Sequence, residues 1–326
     1  MMKRLKKKIT INSTGIVRIF LFLLTVVFIW ACAGRSINEY RSEDSYRAEN
    51  FSEIGHGYYQ KGQLNNALIY FEKSMHINSI NDNQKGIADN LNNIGSVYFA
   101  AKDFNSALNY FHQALAKNEL IGNKEGKADN LVNIGSANIF LNKMESALDY
   151  FKSALSIKEE LGQQRGIAVV LNNIGMVYKS EGKFEEAANY YDKSLIINKK
   201  INNKKGVAAN LNNLGAIEEI RRNVEISLNY YKRALEIDKE IGYYKGIAND
   251  LNNIAALYRT TGRNEDALVY YERALEINKK TGELRRVLKD LENISEIYEA
   301  IGEKGKSTRY KELAKDITKK IEKYFN

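Results

Sequence analysis

The sequence predicts an all-α fold, an α-solenoid of about seven helix-turn-helix units with a polar capping helix at its C-terminal end. A 40-residue repeat, apolar residues at helical spacing within it and regular breaks at glycine or asparagine lead to this prediction. The stretch GIADNLNNIGSVYFAAKDF, which starts at Gly86, returns as GIAVVLNNIGMVYKSEGKF at Gly166 and as GIANDLNNIAALYRTTGRN at Gly246. Repeats of this period are typical of solenoids, in which each unit packs on its neighbours.

Each repeat is expected to form two helices. Apolar and small residues recur three or four positions apart from Leu91 to Tyr98 and again from Ala107 to Leu115, as on the buried face of a helix. A turn is predicted near Lys102 to Phe104. A second break follows where Gly or Asn suits a left-handed helix end; these positions are Gly122, Gly162, Asn202, Gly242 and Gly282, with Asp82 in the first unit. The predicted units are 46–85, 86–125, 126–165, 166–205, 206–245, 246–285 and 286–326.

Small residues at one position of the first helix predict a close approach between the two helices of a unit. They are Gly55, Gly95, Gly135, Gly175, Gly215, Ala255 and Ser295. Aromatic side chains on the second helix are expected to fill the space beside them as core residues. They are Phe71, Phe111, Phe151, Tyr191, Tyr231 and Tyr271.

The last unit has the features of a solenoid end. Lys311 and Lys315 replace the aromatic residue and the leucine of the other units, which makes one face polar. Tyr310, Leu313 and Ile317 are predicted to form the remaining apolar stripe. Terminal repeats with a polar outer face cap such arrays.

The order Leu91, Ile94-Gly95, Tyr98, Ala107 and Phe111 resembles the tetratricopeptide repeat. The period of 40 residues and the absence of proline resemble the longer form of this repeat that is found in kinesin light chains, Pins-type scaffolds and bacterial peptide-responsive regulators. The resemblance implies a superhelix whose concave groove binds peptides.

Net charge does not indicate a nucleic-acid-binding protein. Of the formal charge of +9, six positive charges and no negative ones lie before residue 32, so the remainder has 43 basic and 40 acidic residues, a balance of +3. The repeats mix both signs, whereas a nucleic-acid interface concentrates Lys and Arg on one face.

The N-terminal segment has the layout of an export signal: a basic start, an apolar run from Ile19 to Ile29 and small residues around Cys32. The tetrad Ile29-Trp30-Ala31-Cys32 resembles the lipobox of bacterial lipoproteins, which implies cleavage after residue 31, lipidation of Cys32 and a short tether over 32–45. The alternative is an uncleaved membrane anchor. Both place the repeats outside the cytoplasm, in the cell envelope.

No catalytic or metal-binding arrangement emerges from the sequence. His56, His76 and His112 fall at different places in the repeat and lack metal-ligand spacing. Nothing resembles a nucleophile with its base or a phosphate-binding loop. We therefore expect a protein without enzymatic activity, cofactor or small-molecule substrate.

Asparagines recur on the first helices of the repeats. Because asparagine is a mediocre helix former, its repetition there needs another explanation. A side-chain amide can donate and accept hydrogen bonds at once, so these residues are candidates for binding a peptide backbone; the alternative is packing between helices. The candidates are Asn90, Asn92, Asn93, Asn133, Asn172, Asn173, Asn212, Asn213, Asn252 and Asn253. The sequence thus predicts a membrane-tethered scaffold that binds a protein or extended peptide. A sensory input module for a separate membrane partner and an assembly factor that uses its convex face are the alternatives.

Overall fold

The computed structural model describes residues 43–325, and every regular element within that range is an α-helix. Three residues separate successive helices, and α2 to α13 each have 17 residues. Odd-numbered helices are the first helices of the repeats and are called A helices; even-numbered ones are B helices. The helices are α1 (43–60), α2 (Leu64–Ile80), α3 (Gln84–Ala100), α4 (Phe104–Leu120), α5 (Lys124–Phe140), α6 (Met144–Glu160), α7 (Gln164–Ser180), α8 (Phe184–Lys200), α9 (Lys204–Ile220), α10 (Val224–Glu240), α11 (Tyr244–Thr260), α12 (Asn264–Lys280), α13 (Leu284–Ala300) and α14 (Lys304–Phe325).

The turns between helices repeat one backbone geometry. After α8, the backbone N–H of Asn203 donates to the carbonyl of Asn198 (2.8 Å), and that of Asn202 to the carbonyl of Lys199 (3.1 Å). This closure requires a residue in the left-handed region. The prediction of left-handed helix ends is confirmed, with φ between 53° and 71° at Asp82, Gly122, Gly162, Asn202, Gly242 and Gly282. Lys102, in the predicted turn inside a unit, also has a positive φ of 66°.

In the five hairpins from α1 to α10, the two helices meet where an aromatic ring of the B helix approaches the backbone of the A helix. A Cβ atom placed on Gly175 would lie 2.7 Å from Cε1 of Tyr191 and 3.2 Å from the backbone oxygen of Ala187. The equivalent atom on Gly95 would lie 2.6 Å from Phe111. The predicted aromatic core is confirmed, because all six of its rings are at most 3% exposed.

The described residues form two compact parts, one up to Gly126 and one from Lys127 onward. In the first, α3 packs against both α2 and α4. In the second, every helix from α6 to α14 packs against the next, and the A helices α7 and α11 also contact α9 directly. This succession of stacked hairpins is the predicted helical solenoid.

Helix α14 confirms the polar face of the last unit and corrects one residue of its apolar stripe. Lys311 and Lys315 are exposed, whereas Ser307 and Ala314 are buried. Leu313 is 40% exposed, because it occupies the outward position of the B helix. Earlier B helices carry basic residues there, namely Lys193, Arg233 and Arg273.

The predicted leader, Cys32 and the tether up to residue 42 lie outside the described residues. Within 43–325, the structure contains no helix with the length and apolar character needed to cross a membrane. Lipidation and cleavage therefore stay predictions.

The close contact at Gly175 predicts opposite effects for one substitution at two sites. Gly175→Ala should lower the free energy of unfolding by roughly 1–3 kcal/mol, because its methyl group overlaps the Tyr191 ring and neither backbone can move freely. Gly57→Ala, in α1, has nothing within 4 Å of the new atom and should stabilise by up to about 1 kcal/mol. Denaturant titration of both variants measures these changes. Equal effects at the two sites would contradict the role of the contact.

Candidate functional site

The candidate asparagines lie on the A helices, on a surface called here the A-helix face. In the second compact part, this face is built by α7, α9 and α11, which touch directly. Two adjacent asparagines on each helix are half-buried there. The amide row consists of Asn172, Asn173, Asn212, Asn213, Asn252 and Asn253.

Hydrogen bonds connect the amide row from α7 to α9. Asn172 Oδ1 accepts from Asn213 Nδ2 (2.7 Å) and from Asn210 Nδ2 (3.2 Å). Asn172 Nδ2 in turn points to Met176 Sδ at 3.8 Å, one helical turn further on. The first amide of one repeat thus joins two amides of the next.

The same connection recurs 40 residues later. Asn212 Oδ1 accepts from Asn253 Nδ2 (3.2 Å), and Asn212 Nδ2 donates to Asp250 Oδ1 (2.5 Å). Asn252 Nδ2 then donates to Asp290 Oδ1 on α13 (2.9 Å). A continuous ladder of side-chain hydrogen bonds therefore runs from α7 to α13.

The structure separates Asn90 from the other candidates. Asn90 is 2% exposed, and its amide donates to Ser74 Oγ (3.0 Å) and to the carbonyl of Gly86 (2.8 Å). The prediction that Asn90 faces a ligand is therefore wrong for this structure, because the residue lies between α2 and α3. Asn93 lies nearer the surface, with Nδ2 3.4 Å from His56 Nε2. Asn92 on α3 and Asn133 on α5 are half-buried, and Asn133 is the equivalent of Asn93.

The ladder shows that packing between helices, the alternative to ligand binding that the sequence allowed, uses Asn172, Asn212 and Asn252. Periodicity alone could not decide this, since a residue that faces a ligand and one that bonds to the next repeat recur at the same interval. The amides remain half-buried, so the same side chains are accessible to a ligand along their outer edges. Asn213 and Asn253 also take part in packing, because each donates to the A helix of the preceding repeat.

Apolar side chains border the amide row on α7. Val169 and Met176 are 49% and 40% exposed, one turn on either side of Asn172 and Asn173. The equivalent residues on α9 are Ala209 and Ala216. The residues at these two positions vary from repeat to repeat, and this variation in the sequence is what identifies them as candidates for ligand contact. The large apolar side chains there distinguish α7 from the other A helices.

Buried residues at two positions, called here the junction pair, meet where a B helix packs against the following A helix. Both members are polar at the junctions that follow α8, α10 and α12, whereas the pair between α6 and α7 is Lys158 and Val170. In the pair between α8 and α9, Asn198 Nδ2 donates to Asn210 Oδ1 (2.8 Å), while Asn198 Oδ1 accepts from Asn203 Nδ2 (2.7 Å). Both members of the pair are at most 4% exposed. A Cβ on Gly206 would lie 2.4 Å from Asn198 Oδ1, which explains the glycine that opens each of these repeats.

A second junction pair joins α12 to α13 with one carboxylate. Asn278 Nδ2 donates to Asp290 Oδ2 (2.6 Å). Burial raises the pKa of Asp290, and the hydrogen bonds from Asn278 and Asn252 oppose that shift. The amide donor therefore lets a buried carboxylate occupy this position.

Within residues 43–325, no group of three or more His, Cys, Asp or Glu side chains is placed to bind a metal ion.

Comparison with known protein families identifies the repeats. The model of the tetratricopeptide repeat matches residues 44–119, 86–160, 166–240 and 206–280. The chain belongs to the tetratricopeptide repeat family. Among curated proteins, no relative matches it.

Solved structures of other tetratricopeptide proteins share the fold. A Rap protein in complex with competence and sporulation factor is 16% identical over 85% of this chain and 76% of its own, with a TM-score of 0.66. The Rap conjugation gene regulator of plasmid pLS20, in complex with the Phr* peptide, is 17% identical over 84% and 74%, with a TM-score of 0.63. Aspartyl phosphate phosphatase F from Bacillus subtilis is 13% identical over 88% and 74%, with a TM-score of 0.65. At these identities the similarity shows the fold alone.

The junction pair predicts a strong effect for a small polar substitution. Asn210→Ala should lower the free energy of unfolding by roughly 1–3 kcal/mol, because it leaves the buried amide of Asn198 without its acceptor. Asn249→Ala, at an exposed position of α11, should change it by less than about 0.5 kcal/mol. Chemical denaturation compares the two variants. A cost at Asn249 as large as that at Asn210 would show that asparagine content, not the junction, determines stability.

Proposed function

We propose that this tetratricopeptide protein is a non-enzymatic scaffold that binds an extended peptide, or an extended segment of a partner protein, across α7, α9 and α11. The amide row supplies donors and acceptors, and Val169 and Met176 supply an apolar contact. The single observation that carries the proposal is this combination of half-buried amides and exposed apolar side chains on one face. Two fold relatives were solved in complex with a peptide or a signalling factor, which supports the proposal.

The spacing of the A helices suits an extended ligand. Helices in contact lie about 8–10 Å apart, and an extended chain advances about 3.3 Å per residue. Roughly every third residue of the peptide would therefore meet the next A helix. A ligand in this conformation leaves its backbone N–H and C=O groups free for the amides, each of which can both donate and accept.

The free energies expected from hydrogen bonds and from apolar contacts give these two kinds of contact different roles. A hydrogen bond contributes a net of about 0.5–1.5 kcal/mol, whereas association costs about 4–15 kcal/mol. Burying one aliphatic side chain contributes about 1.5–3 kcal/mol. The amide row therefore sets the position and direction of the peptide, and the contact with α7 contributes affinity and selects an apolar residue.

The apolar contact can be tested with peptides selected from a random library on the wild-type protein. Met176→Glu should weaken their binding at least tenfold, since it places a charge where the peptide's apolar side chain is buried. Ile196→Glu, on B helix α8, alters a side chain that is 66% exposed and should leave binding unchanged. Calorimetric titration gives both affinities.

The outcomes of this comparison separate the two faces. Peptides that bind Met176→Glu as tightly as the wild type would refute the site on α7. A loss of affinity only for Ile196→Glu would instead indicate that the peptides bind to the B helices. That is the face which an assembly factor of the cell envelope would use. A sensory role would require the same site together with a separate membrane protein.

The second part of the proposal is attachment to the membrane of the bacterial cell envelope. The basic start, the apolar run and the tetrad ending in Cys32 support export, cleavage after residue 31 and lipidation of the cysteine. Because α1 begins at residue 43, an extended tether would comprise residues 32–42 and reach at most about 37 Å at about 3.4 Å per residue, so the repeats would stay close to the membrane surface.

Lipidation of Cys32 predicts that one substitution abolishes both the fatty-acid label and the cleavage of the leader. Full-length protein expressed in bacteria with a clickable fatty acid should carry the label and lack its leader. Cys32→Ser should lose the label and retain the leader, because the modified cysteine is the signal for cleavage in the lipoproteins that this segment resembles. In-gel fluorescence and intact mass measure both. The uncleaved anchor would be favoured if the wild type carries no label and differs in mass from the variant only by the exchange of one sulfur for one oxygen atom.

A further inference from the structure

The junction pair between α10 and α11 differs from those on either side. Its members are Asp238 and Asp250, which are 2% and 0% exposed. The equivalent residues are two asparagines in the preceding junction and one asparagine with one aspartate in the following one. Two carboxyl groups therefore face each other at a place where neighbouring repeats use at least one amide donor.

Two ionised carboxylates cannot form the hydrogen bond that the other pairs make, because neither has a proton to donate. Asp238 Oδ1 and Asp250 Oδ2 are both buried and have no partner among the hydrogen-bonding groups that the structure describes. The remaining oxygen of Asp250, Oδ1, accepts from Asn212 Nδ2 (2.5 Å). One proton between the two carboxyl groups would supply the missing hydrogen bond.

The surroundings oppose a double negative charge at this junction. The pKa of Asp250 is raised to about 8, first by burial, while the hydrogen bond from Asn212 lowers it and Asp238 raises it. Burial also raises the pKa of Asp238 to about 6, against the opposing effects of a proton shared with Asp250 and of the charge of Lys205 on α9. The Lys205 ammonium lies 4.1 Å from the centre of the Tyr243 ring in the α10–α11 turn. Lys205 is thus the cation that faces the pair.

Space at the junction is as restricted as in the neighbouring repeats. A Cβ on Gly246 would lie 1.8 Å from Asp238 Oδ2 and 2.5 Å from the Tyr243 ring. Asp238 Oδ2 thus already fills the space that the missing side chain of Gly246 leaves, and relief of charge repulsion requires either a proton or separation of the helices.

We propose that Asp238 and Asp250 hold one proton between them and that this proton locks α10 to α11 beneath the amide row. Loss of the proton leaves two adjacent buried negative charges and weakens the contact between the two helices. The hydrogen bond from Asn212 favours the ionised form of Asp250, so it keeps α11 on α9 while the contact between α10 and α11 weakens. The lock does not depend on the identity of any ligand.

The sign of the pH dependence follows from the raised pKa values. In the unfolded chain both carboxyl groups lose their protons near pH 4, whereas the folded junction retains a proton up to about pH 8. The folded state therefore binds more protons between these values, and stability falls as the pH rises through that window. Below pH 4 both states are protonated, so the stability from this site is fully present there.

The test compares melting temperatures of the full-length chain and of Asp238→Asn/Asp250→Asn, which reproduces the Asn198–Asn210 pair. Between pH 5.5 and 8.5 the wild type should lose about 5 °C more than the double variant. Hydrogen exchange, corrected for intrinsic rates, should show α11 losing protection at pH 8.5 in the wild type only. Parallel melting curves for the two proteins across this range would overturn the proposal.

Two single variants keep the proposal testable if the double variant fails to fold. Asp238→Asn reproduces the Asn278–Asp290 pair and should reduce the pH-dependent loss by more than half. Asn278→Asp places a second carboxyl pair between α12 and α13 and should steepen the loss. The proposal is wrong if Asp238→Asn and Asn278→Asp both lose the same stability as the wild type between pH 5.5 and 8.5. That result would show that the junctions do not control the pH response.

Discussion

The architecture depends on one contact that recurs in the five hairpins from α1 to α10, the approach of an aromatic ring on the B helix to the backbone of the preceding A helix. Tyr191 lies so close to Gly175 that no further carbon atom fits without movement. This contact brings the two helices of a hairpin together and buries the largest side chains of the repeat. Ala255 is fully buried at the equivalent position of α11, so this hairpin accepts a methyl group there. Ser295 is buried at the same position of α13, where Lys311 replaces the aromatic residue.

Stacking of hairpins adds a second, polar constraint. The junction pairs are buried, so each of their polar atoms needs a hydrogen-bond partner. Asn198 and Asn210 meet that need as amides, and the glycine at position 206 leaves them the space. Asp238 and Asp250 occupy the same place with different chemistry, which turns one repeat of an otherwise regular series into a titratable junction.

The proposed ligand-binding face and the contact between repeats use the same amides. Asn172 joins α7 to α9 through its oxygen, and its outer edge faces the surface where a peptide would bind. Substitution of such a residue alters both stacking and binding, so a loss of binding would not by itself identify a ligand contact. Val169 bears no such double role, because it is 49% exposed and takes no part in the ladder's hydrogen bonds. Met176 is also exposed, but its Sδ lies 3.8 Å from Asn172 Nδ2.

The sequence by itself determined the helical hairpins, their period, their left-handed turns and the aromatic core, because each follows from local spacing and recurs in every repeat. It also indicated which face carries asparagines. Only the tertiary structure decided that Asn90 is buried, that Asn172 and Asn212 bond across to the next repeat, and that Asp238 meets Asp250. These facts depend on how side chains 12 to 41 residues apart meet, and a repeating sequence gives every such residue the same period whichever neighbour it contacts.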